Sequence, residues 1–177
     1  VDAVQTVIRL ARQQGVSLSL YRDTDWFVER EDRWSEGEGI ITGLHPTVVA
    51  LEDTLAAGAP HKLLCMGEAA RIDAFYQILQ KQAIAAELLR SKDEYLEIMP
   101  RQAGKAEALL NVCHHMGIAS EHSMAIGDHD LDCALLRAAG IGVAMGNGSD
   151  AARQAADGLA PANDTAGVAA AVCPWMR

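Results

Sequence analysis

The chain has 177 residues, of which 50% are hydrophobic, and carries a formal net charge of −9 with a pI near 5.0. This length and apolar content suit one or two globular domains and exclude a disordered or fibrous chain. The acidic balance argues against proteins that bind nucleic acid or anionic membranes, because both need basic surfaces. Small molecules and cations are the expected partners.

The cysteines and the apolar runs indicate the compartment. The four cysteines are widely spaced without a CxxC pair, which favours reduced thiols over a disulfide or zinc framework. No apolar run approaches the roughly 18 residues of a membrane span, and the first residues show no basic n-region followed by a cleavage site. We therefore expect a soluble, cytoplasmic protein. Because the chain begins with Val1 rather than methionine, we also expect its natural start to lie upstream.

Helices and strands alternate through the first half of the chain. The acidic, glycine-rich stretch EDRWSEGEGIITGLHP predicts a loop, and HPTVVALEDTLAAG predicts a helix. The other segments, in chain order, predict a helix in VDAVQTVIRLARQQGV, strands in SLSLY and DWFVER, a strand in HKLLCMG, a helix in EAARIDAFYQILQKQ and extended runs in AELLRS and EYLEIMP.

From about residue 94 the alternation becomes regular. Short apolar strands, joined by helices of about ten residues, predict a parallel sheet with helices on both faces. The predicted strands are SMAIGD, IGVAMG and GLAPAN, and the helices are GKAEALLNVCHHMGI, DCALLRAAG, DAARQAA and DTAGVAAAV. Ligands of such sheets bind at the carboxyl ends of the strands, where Asp128, the 146–148 turn and Asn163 are predicted to lie.

The stretch GDHDLD places three acidic residues, Asp128, Asp130 and Asp132, within five positions at a predicted strand end. Asp128 and Asp132 would flank the first turn of the next helix and could converge on one hard cation such as Mg²⁺, whose charge would cancel their repulsion. The other interpretation is that Asp130 and Asp132 cap that helix. The pattern alone leaves both open.

Residues 94–170 resemble the second half of a haloacid dehalogenase (HAD) superfamily phosphatase of the Cof type. The resemblance rests on EIMPRQAGKAEALL, GDHDLD, ALLRAAGIGVAMGNG and NDTAGVA, which follow one another in the family's order and spacing. It implies an α/β fold: a Rossmann-like, parallel-sheet half-core over residues 94–177 and a separate α/β cap domain, which selects the substrate, over residues 1–93.

The resemblance also implies roles for single residues. Asp128 and Asp132 match the acidic pair that holds Mg²⁺. Lys105 matches the catalytic lysine that neutralises the nucleophile and the transferring phosphoryl group, and Asn147 and Asn163 are candidate substrate-binding residues. Asp128 would bind the metal directly, and Asp132 directly or through water.

Two departures from the family pattern stand out. Leu131 occupies the position of the usual Asn between the metal acids, and leucine can neither hydrogen-bond a phosphate nor orient Lys105. The DxDGT motif, which supplies the family's Asp nucleophile, is absent from the printed sequence. Asp23 and Asp25 imitate its first half, but Trp26 and Phe27 replace Gly-Thr. We therefore predict a polar hairpin turn there, with contact between the cap and the substrate as the alternative.

The sequence therefore predicts a Mg²⁺-dependent phosphatase of small phosphorylated metabolites, with sugar phosphates as one class, in a chain that lacks the nucleophile segment and is inactive alone. The alternatives are a non-catalytic module that binds Mg²⁺ or a ligand, and a phosphomutase or specialised sugar-phosphate phosphatase. A small phosphorylated substrate is the expected partner, without nucleic acid or membrane. Loss of a central strand would also leave an open sheet edge and favour self-association.

Overall fold

The structure is a computed structural model that describes residues 2–82, 84–101 and 103–175. The chain divides into two compact units, 1–101 and 102–177. The predicted boundary at residues 93 and 94 falls in the turn between the last two strands of the first unit. The division comes after Arg101 instead, because strand Tyr95–Met99 is hydrogen-bonded between two other strands of that unit.

The first unit is a six-stranded sheet with helices. The strand order is β3-β2-β1-β4-β6-β5, and all neighbours are antiparallel except β2 and β3. The elements are α1 Asp2–Gln14, β1 Ser17–Arg22, β2 Asp25–Val28, α2 Arg33–Thr42, β3 Thr47–Val48, α3 Leu51–Thr54, β4 Lys62–Met66, α4 Ala69–Lys81, β5 Glu87–Lys92 and β6 Tyr95–Met99.

One face of this sheet forms the main hydrophobic core. Residues of α1 and α4 pack against alternate residues of the central strands, as the alternation of side chains along a strand requires. Ile8, Leu20, Phe75, Leu79 and Leu96 are fully buried there. The apolar residues whose spacing predicted α1 and α4 are therefore the ones that pack against the sheet.

Two predictions in the first unit were wrong. The stretch predicted as a loop contains helix α2, which begins with a reciprocal capping box between Asp32 and Ser35 and ends at Gly43 in the left-handed conformation. The stretch predicted as one helix forms the two-residue strand β3 and the single-turn helix α3. The strand forms because Val28 and Val48 pair across β2 and β3, a contact that local sequence cannot reveal.

The polar hairpin turn is confirmed. Asp23 and Thr24 form a two-residue connection between β1 and β2, and Asp23 has a positive φ of 52°. Aspartate tolerates this conformation better than most residues. The Asp23–Asp25 pair therefore belongs to an antiparallel hairpin of the first unit.

The second unit contains the predicted parallel sheet. Its strand order is β7-β8-β9, and both pairs are parallel. Among the described residues β7 pairs with β8 alone, so it is an edge strand. The elements are α5 Lys105–Met116, β7 Met124–Gly127, α6 Cys133–Ala138, β8 Ile141–Ala144, α7 Asp150–Ala155, β9 Gly158–Leu159 and α8 Gly167–Val172.

Two glycines should respond oppositely to alanine. A Cβ at Gly140 would lie 2.0 Å from the carbonyl oxygen of Glu121, whereas a Cβ at Gly37, inside α2, would meet nothing within 4 Å. Gly140→Ala is therefore expected to destabilise the chain by roughly 1–3 kcal/mol, and Gly37→Ala to stabilise it by up to about 1 kcal/mol. Urea denaturation of both variants measures this, and a Gly140→Ala protein as stable as the parent would contradict the described backbone contact.

Candidate active site

Asp128 lies at the carboxyl end of β7, which ends at Gly127. Its backbone is held on both sides: its amide donates to Oδ2 of Asp132 at 3.0 Å, and its carbonyl accepts from the amide of Ser149 at 2.8 Å. The residue is nevertheless exposed to solvent. Its backbone is thus fixed at the sheet edge while the residue stays accessible.

Asp132 is the buried centre of this site, with 4% of its surface exposed. Its Oδ1 pairs with Nζ of Lys105, and its Oδ2 accepts from the amides of Asp128 and His129, each at 3.0 Å. Burial alone would raise the pKa of Asp132, but the hydrogen bonds from Lys105 and the two amides outweigh it and lower that pKa. Both carboxylate oxygens therefore already have protein partners.

Lys105 is the first residue of α5 and follows Gly104. Although its ammonium pairs with the buried carboxylate, 60% of the side chain remains exposed. The Lys105 ammonium is therefore held by the Asp132 carboxylate and remains accessible to an anion from solvent.

Gly127 makes this arrangement possible. A Cβ on Gly127 would lie 2.5 Å from Cβ of Asp132, far inside van der Waals contact. Because only glycine leaves that space empty, the carboxylate can tuck under the strand end and reach the two backbone amides.

Asn147 and Asn163 are brought together in the loops that follow β8 and β9. Oδ1 of Asn147 accepts a hydrogen bond from the backbone amide of Asn163 at 2.9 Å. This contact braces one loop against the other at the carboxyl ends of the strands. Substrate binding by either residue stays a prediction.

The donor set for a metal is sparse. Among the described residues, no group of three or more His, Cys, Asp or Glu side chains is placed to hold a metal ion. Asp128 offers a carboxylate on an exposed residue, whereas the oxygens of Asp132 are engaged. This set fits Mg²⁺, which commonly uses one or two carboxylates and completes its shell with water and substrate oxygens. The predicted ligation by Asp128 and Asp132 stays a prediction.

The family follows from a comparison with known proteins. Residues 1–172 match the model of a family described as haloacid dehalogenase-like hydrolase. The chain belongs to this family. The predicted resemblance to its Cof-type members and the predicted α/β fold with a parallel sheet are confirmed.

Individual relatives agree with this assignment. A putative phosphatase of Haemophilus influenzae is 29% identical over 171 residues, which are 95% of this chain and 63% of the relative. An HMP-PP phosphatase of Yersinia pseudotuberculosis is 27% identical over 82% of this chain and 54% of its own length. The chain thus spans less than two thirds of both relatives.

Solved structures show the same fold. A haloacid dehalogenase-like hydrolase from Bacteroides thetaiotaomicron superposes with a TM-score of 0.86 at 27% identity, over 99% of this chain and 66% of that one. A Thermotoga maritima protein has a TM-score of 0.83 at 23% identity, over 96% of this chain and 64% of its own. Among the described residues of our protein, no helix is long and apolar enough to cross a lipid bilayer.

The family departure at Leu131 has a local structural context. Leu131 is half-buried and its amide lies 3.4 Å from Nδ1 of His129. Lys105 is oriented by Asp132 instead, so the lysine is held without an Asn at position 131.

Ser149 is a site residue that sequence reasoning missed. Its amide ties the β8 loop to the Asp128 carbonyl, and its hydroxyl accepts from the amide of Ala152 to begin α7. A serine directly before a helical stretch is a capping signal. The tie to Asp128 required the tertiary structure.

Asp132→Asn tests the centre of the site. An asparagine NH₂ would face either the Lys105 ammonium or the two amides, so donors would oppose donors, and a loss of roughly 1–3 kcal/mol is expected at pH 7. Because the folded pKa of Asp132 is lowered from its ordinary value of 3.8, its contribution is present above that pH and fades as the pH falls through and below it.

The measurement is urea denaturation of parent and variant at neutral and acidic pH. The difference between them should shrink on acidification. Asp130→Asn, two residues away and exposed, is the matched control and should cost no more than about 0.5 kcal/mol. Equal losses of stability in the two variants would contradict the stabilising hydrogen bonds assigned to the buried Asp132 carboxylate.

Proposed function

We propose that this chain is part of a Mg²⁺-dependent phosphatase that acts on small phosphorylated metabolites, with sugar phosphates as one candidate class. The observation that carries the proposal is the Lys105 ammonium, which is anchored by buried Asp132 beside exposed Asp128 at the end of a parallel strand. Family membership and the phosphatases among its relatives support the same reaction class.

Lys105 has the properties of an electrostatic clamp for phosphate. A compact ammonium that is already oriented reduces the reorganisation needed when negative charge develops on the phosphoryl oxygens. The ion pair with Asp132 holds Nζ in place and leaves most of the side chain exposed. The role of Asp132 in this proposal is first to position Lys105 and the amides of Asp128 and His129.

Asp128 would hold the metal, with the second acidic position at Asp132 contributing directly or through water. Bound Mg²⁺ would neutralise charge on the phosphoryl group. The backbone of Asp128 is hydrogen-bonded to Asp132 on one side and to Ser149 on the other. Because this loop is already ordered, binding the metal would cost little conformational entropy.

The nucleophile is expected from a carboxylate outside the printed sequence. Asp23 and Asp25 lie in a hairpin of the first unit, which is not a strand end of the parallel sheet. The attacking carboxylate oxygen would form a bond to phosphorus as the ester oxygen leaves, and water would then hydrolyse the aspartyl-phosphate. The edge of β7 that has no strand partner among the described residues is the proposed place for a strand that carries this carboxylate. Self-association through that edge is expected without such a strand.

A second candidate is a non-catalytic module that binds Mg²⁺ or a ligand. A true absence of DxDGT from the parent reading frame would favour it, whereas an upstream DxDGT would favour the enzyme. A phosphomutase or a specialised sugar-phosphate phosphatase would use the same Lys105 and Asp128. Turnover in the presence of a DxDGT segment separates the enzymes from the module.

Mg²⁺ titration tests the metal assignment. Asp128→Asn is expected to lower the affinity for Mg²⁺ by tenfold or more, because it removes the proposed direct carboxylate ligand. Asp130→Asn removes an equal charge from the same loop and should change the affinity little. Calorimetric titration measures both, and equal losses would remove Asp128 from the metal site.

Turnover tests the reaction. The 177-residue chain is expected to hydrolyse p-nitrophenyl phosphate no faster than buffer containing Mg²⁺, because neither Lys105 nor a metal can replace the attacking carboxylate. Adding a polypeptide that carries a DxDGT strand should restore turnover and reduce self-association in sedimentation experiments. Mg²⁺-dependent activity of the chain alone, lost in Lys105→Ala, would show that the nucleophile lies within this sequence and return attention to Asp23 and Asp25.

A further inference from the structure

The first-unit sheet has a second face that is buried yet polar. Along β1, Leu18 and Leu20 point into the hydrophobic core, so Ser19 and Tyr21 point to the opposite face. Trp26 is the cross-strand partner of Tyr21 and shares that face. Among the described residues, the Ser19 hydroxyl, the Tyr21 hydroxyl and the Trp26 indole N–H are buried and make no hydrogen bond of normal geometry. The Ser19 hydroxyl lies close enough to the Tyr21 phenol to lower its pKa, so the Trp26 N–H is the most fully isolated of the three. We name these three residues the β1–β2 polar face.

Three orphaned polar atoms at one place require an explanation. Each buried group without a partner costs roughly 1–3 kcal/mol, and folded proteins rarely keep such groups. Ser19 and Trp26 have only 0% and 4% of their surface exposed. The rings of Tyr21 and Trp26 stack with centroids 5.9 Å apart and planes 13° from parallel. Poorly satisfied donors and stacked aromatic surface are therefore concentrated at one place in the unit.

Helix α2 covers this face but is weakly built. It contains Gly37 and Gly39, each of which lowers helix stability by about 0.5–1 kcal/mol relative to alanine. Ser35 is its buried residue, while Ile40 and Ile41 are 86% and 66% exposed. A helix that buries so little apolar surface is held mainly by its termini and by polar contacts.

Two contacts connect α2 to the β1–β2 polar face and its surroundings. A Cβ on Gly39 would lie 3.9 Å from two carbons of the six-membered ring of Trp26, so the helix backbone passes close to the rim of the indole. The Tyr95 hydroxyl of β6 donates to Oε2 of Glu38 at 3.1 Å. Breaking that bond would remove one of the few contacts that hold the helix over the sheet.

We propose that α2 is a displaceable cover and that the β1–β2 polar face beneath it binds a neutral, hydroxyl-rich organic group such as a polyol. Displacement exposes two hydroxyls, one indole donor and a stacked aromatic surface. Hydroxyl groups of a polyol can both donate and accept, and so can satisfy all three orphaned atoms. Its C–H groups can pack on the rings, as in other sites that combine aromatic walls with few polar groups.

The surrounding charges favour a neutral ligand over an anion. Burial raises the pKa of the Tyr21 phenol, and the nearby carboxylates of Glu38 and Glu97 raise it further, while the Ser19 hydroxyl opposes the shift. The same negative field would repel a bound anion. Lys62 does not reverse it, because its Nζ lies 3.7 Å from Glu97 as well as 4.8 Å from the Tyr21 ring centroid.

The inference goes beyond the proposed phosphatase because it concerns the first unit alone and is tested by binding. Trp26 can report on both parts of it in a Trp34→Phe, Trp175→Phe background, where it is the remaining tryptophan of the chain's three. Circular dichroism and urea denaturation first establish that this parent and each variant are folded.

Acrylamide quenching of Trp26 tests the cover. Glu38→Ala should raise the quenching constant at least twofold, and Gly37→Ala, which strengthens α2, should lower it. Glu36→Ala removes an exposed carboxylate from the same helix and is the matched control. If Glu38→Ala does not fold, Tyr95→Phe breaks the same hydrogen bond from the sheet side. Equal quenching in the Glu38 and Glu36 variants, or in Tyr95→Phe and the parent, would overturn the displaceable cover.

Titration with D-glucitol tests the ligand class. We expect a saturable change in Trp26 emission, weakened about fivefold in Tyr21→Phe, which corresponds to about 1 kcal/mol for one hydrogen bond. Tyr76→Phe, which removes a phenol from the helix side of the sheet, should bind as the parent does. D-gluconate, the anionic counterpart, should bind more weakly. The absence of saturable binding, an equal response to gluconate, or equal effects of the two tyrosine variants would each overturn the proposal.

Discussion

The buried carboxylate of Asp132 organises the second unit. One of its oxygens holds Lys105 and the other holds the amides of Asp128 and His129. A carboxylate taken out of water must have such partners, since an unpaired buried charge is very costly. The hydrogen bonds that pair this carboxylate therefore connect the start of α5 to the end of β7. The geometry of the candidate active site is a consequence of that requirement.

The neighbouring loops extend this constraint across the strand ends. Ser149 ties the β8 loop to Asp128, and Asn147 ties it to Asn163 after β9. Each tie pairs a backbone amide with an oxygen at an ordinary hydrogen-bond distance, 2.8 Å for Ser149 and 2.9 Å for Asn163. The site thus presents an anchored ammonium and an accessible acidic residue on hydrogen-bonded loops, an arrangement that the proposed phosphatase reaction would use.

The first unit handles burial differently on the two faces of its sheet. The face under α1 and α4 is filled by apolar side chains, whereas the β1–β2 polar face keeps orphaned donors beneath the glycine-containing helix α2. The first arrangement supplies stability and the second lowers it. Such local inconsistency is typical of functional surfaces, which is why the polar face rather than the core points to a ligand.

The sequence by itself determined the parallel sheet, the hairpin at Asp23 and the strand-end position of Asp128, because these depend on local periodicity and turn chemistry. Only the tertiary structure decided how Asp132 divides its two oxygens, and that α2 is a helix laid over Trp26. The contact of Asp132 with Lys105 and that of α2 with Trp26 join groups far apart in the chain, whereas the Asp32–Ser35 capping box of α2 is local. A carboxylate's role is set by which donors surround it after folding, and a glycine-containing helix persists through caps and cross-sheet contacts that its own sequence expresses weakly.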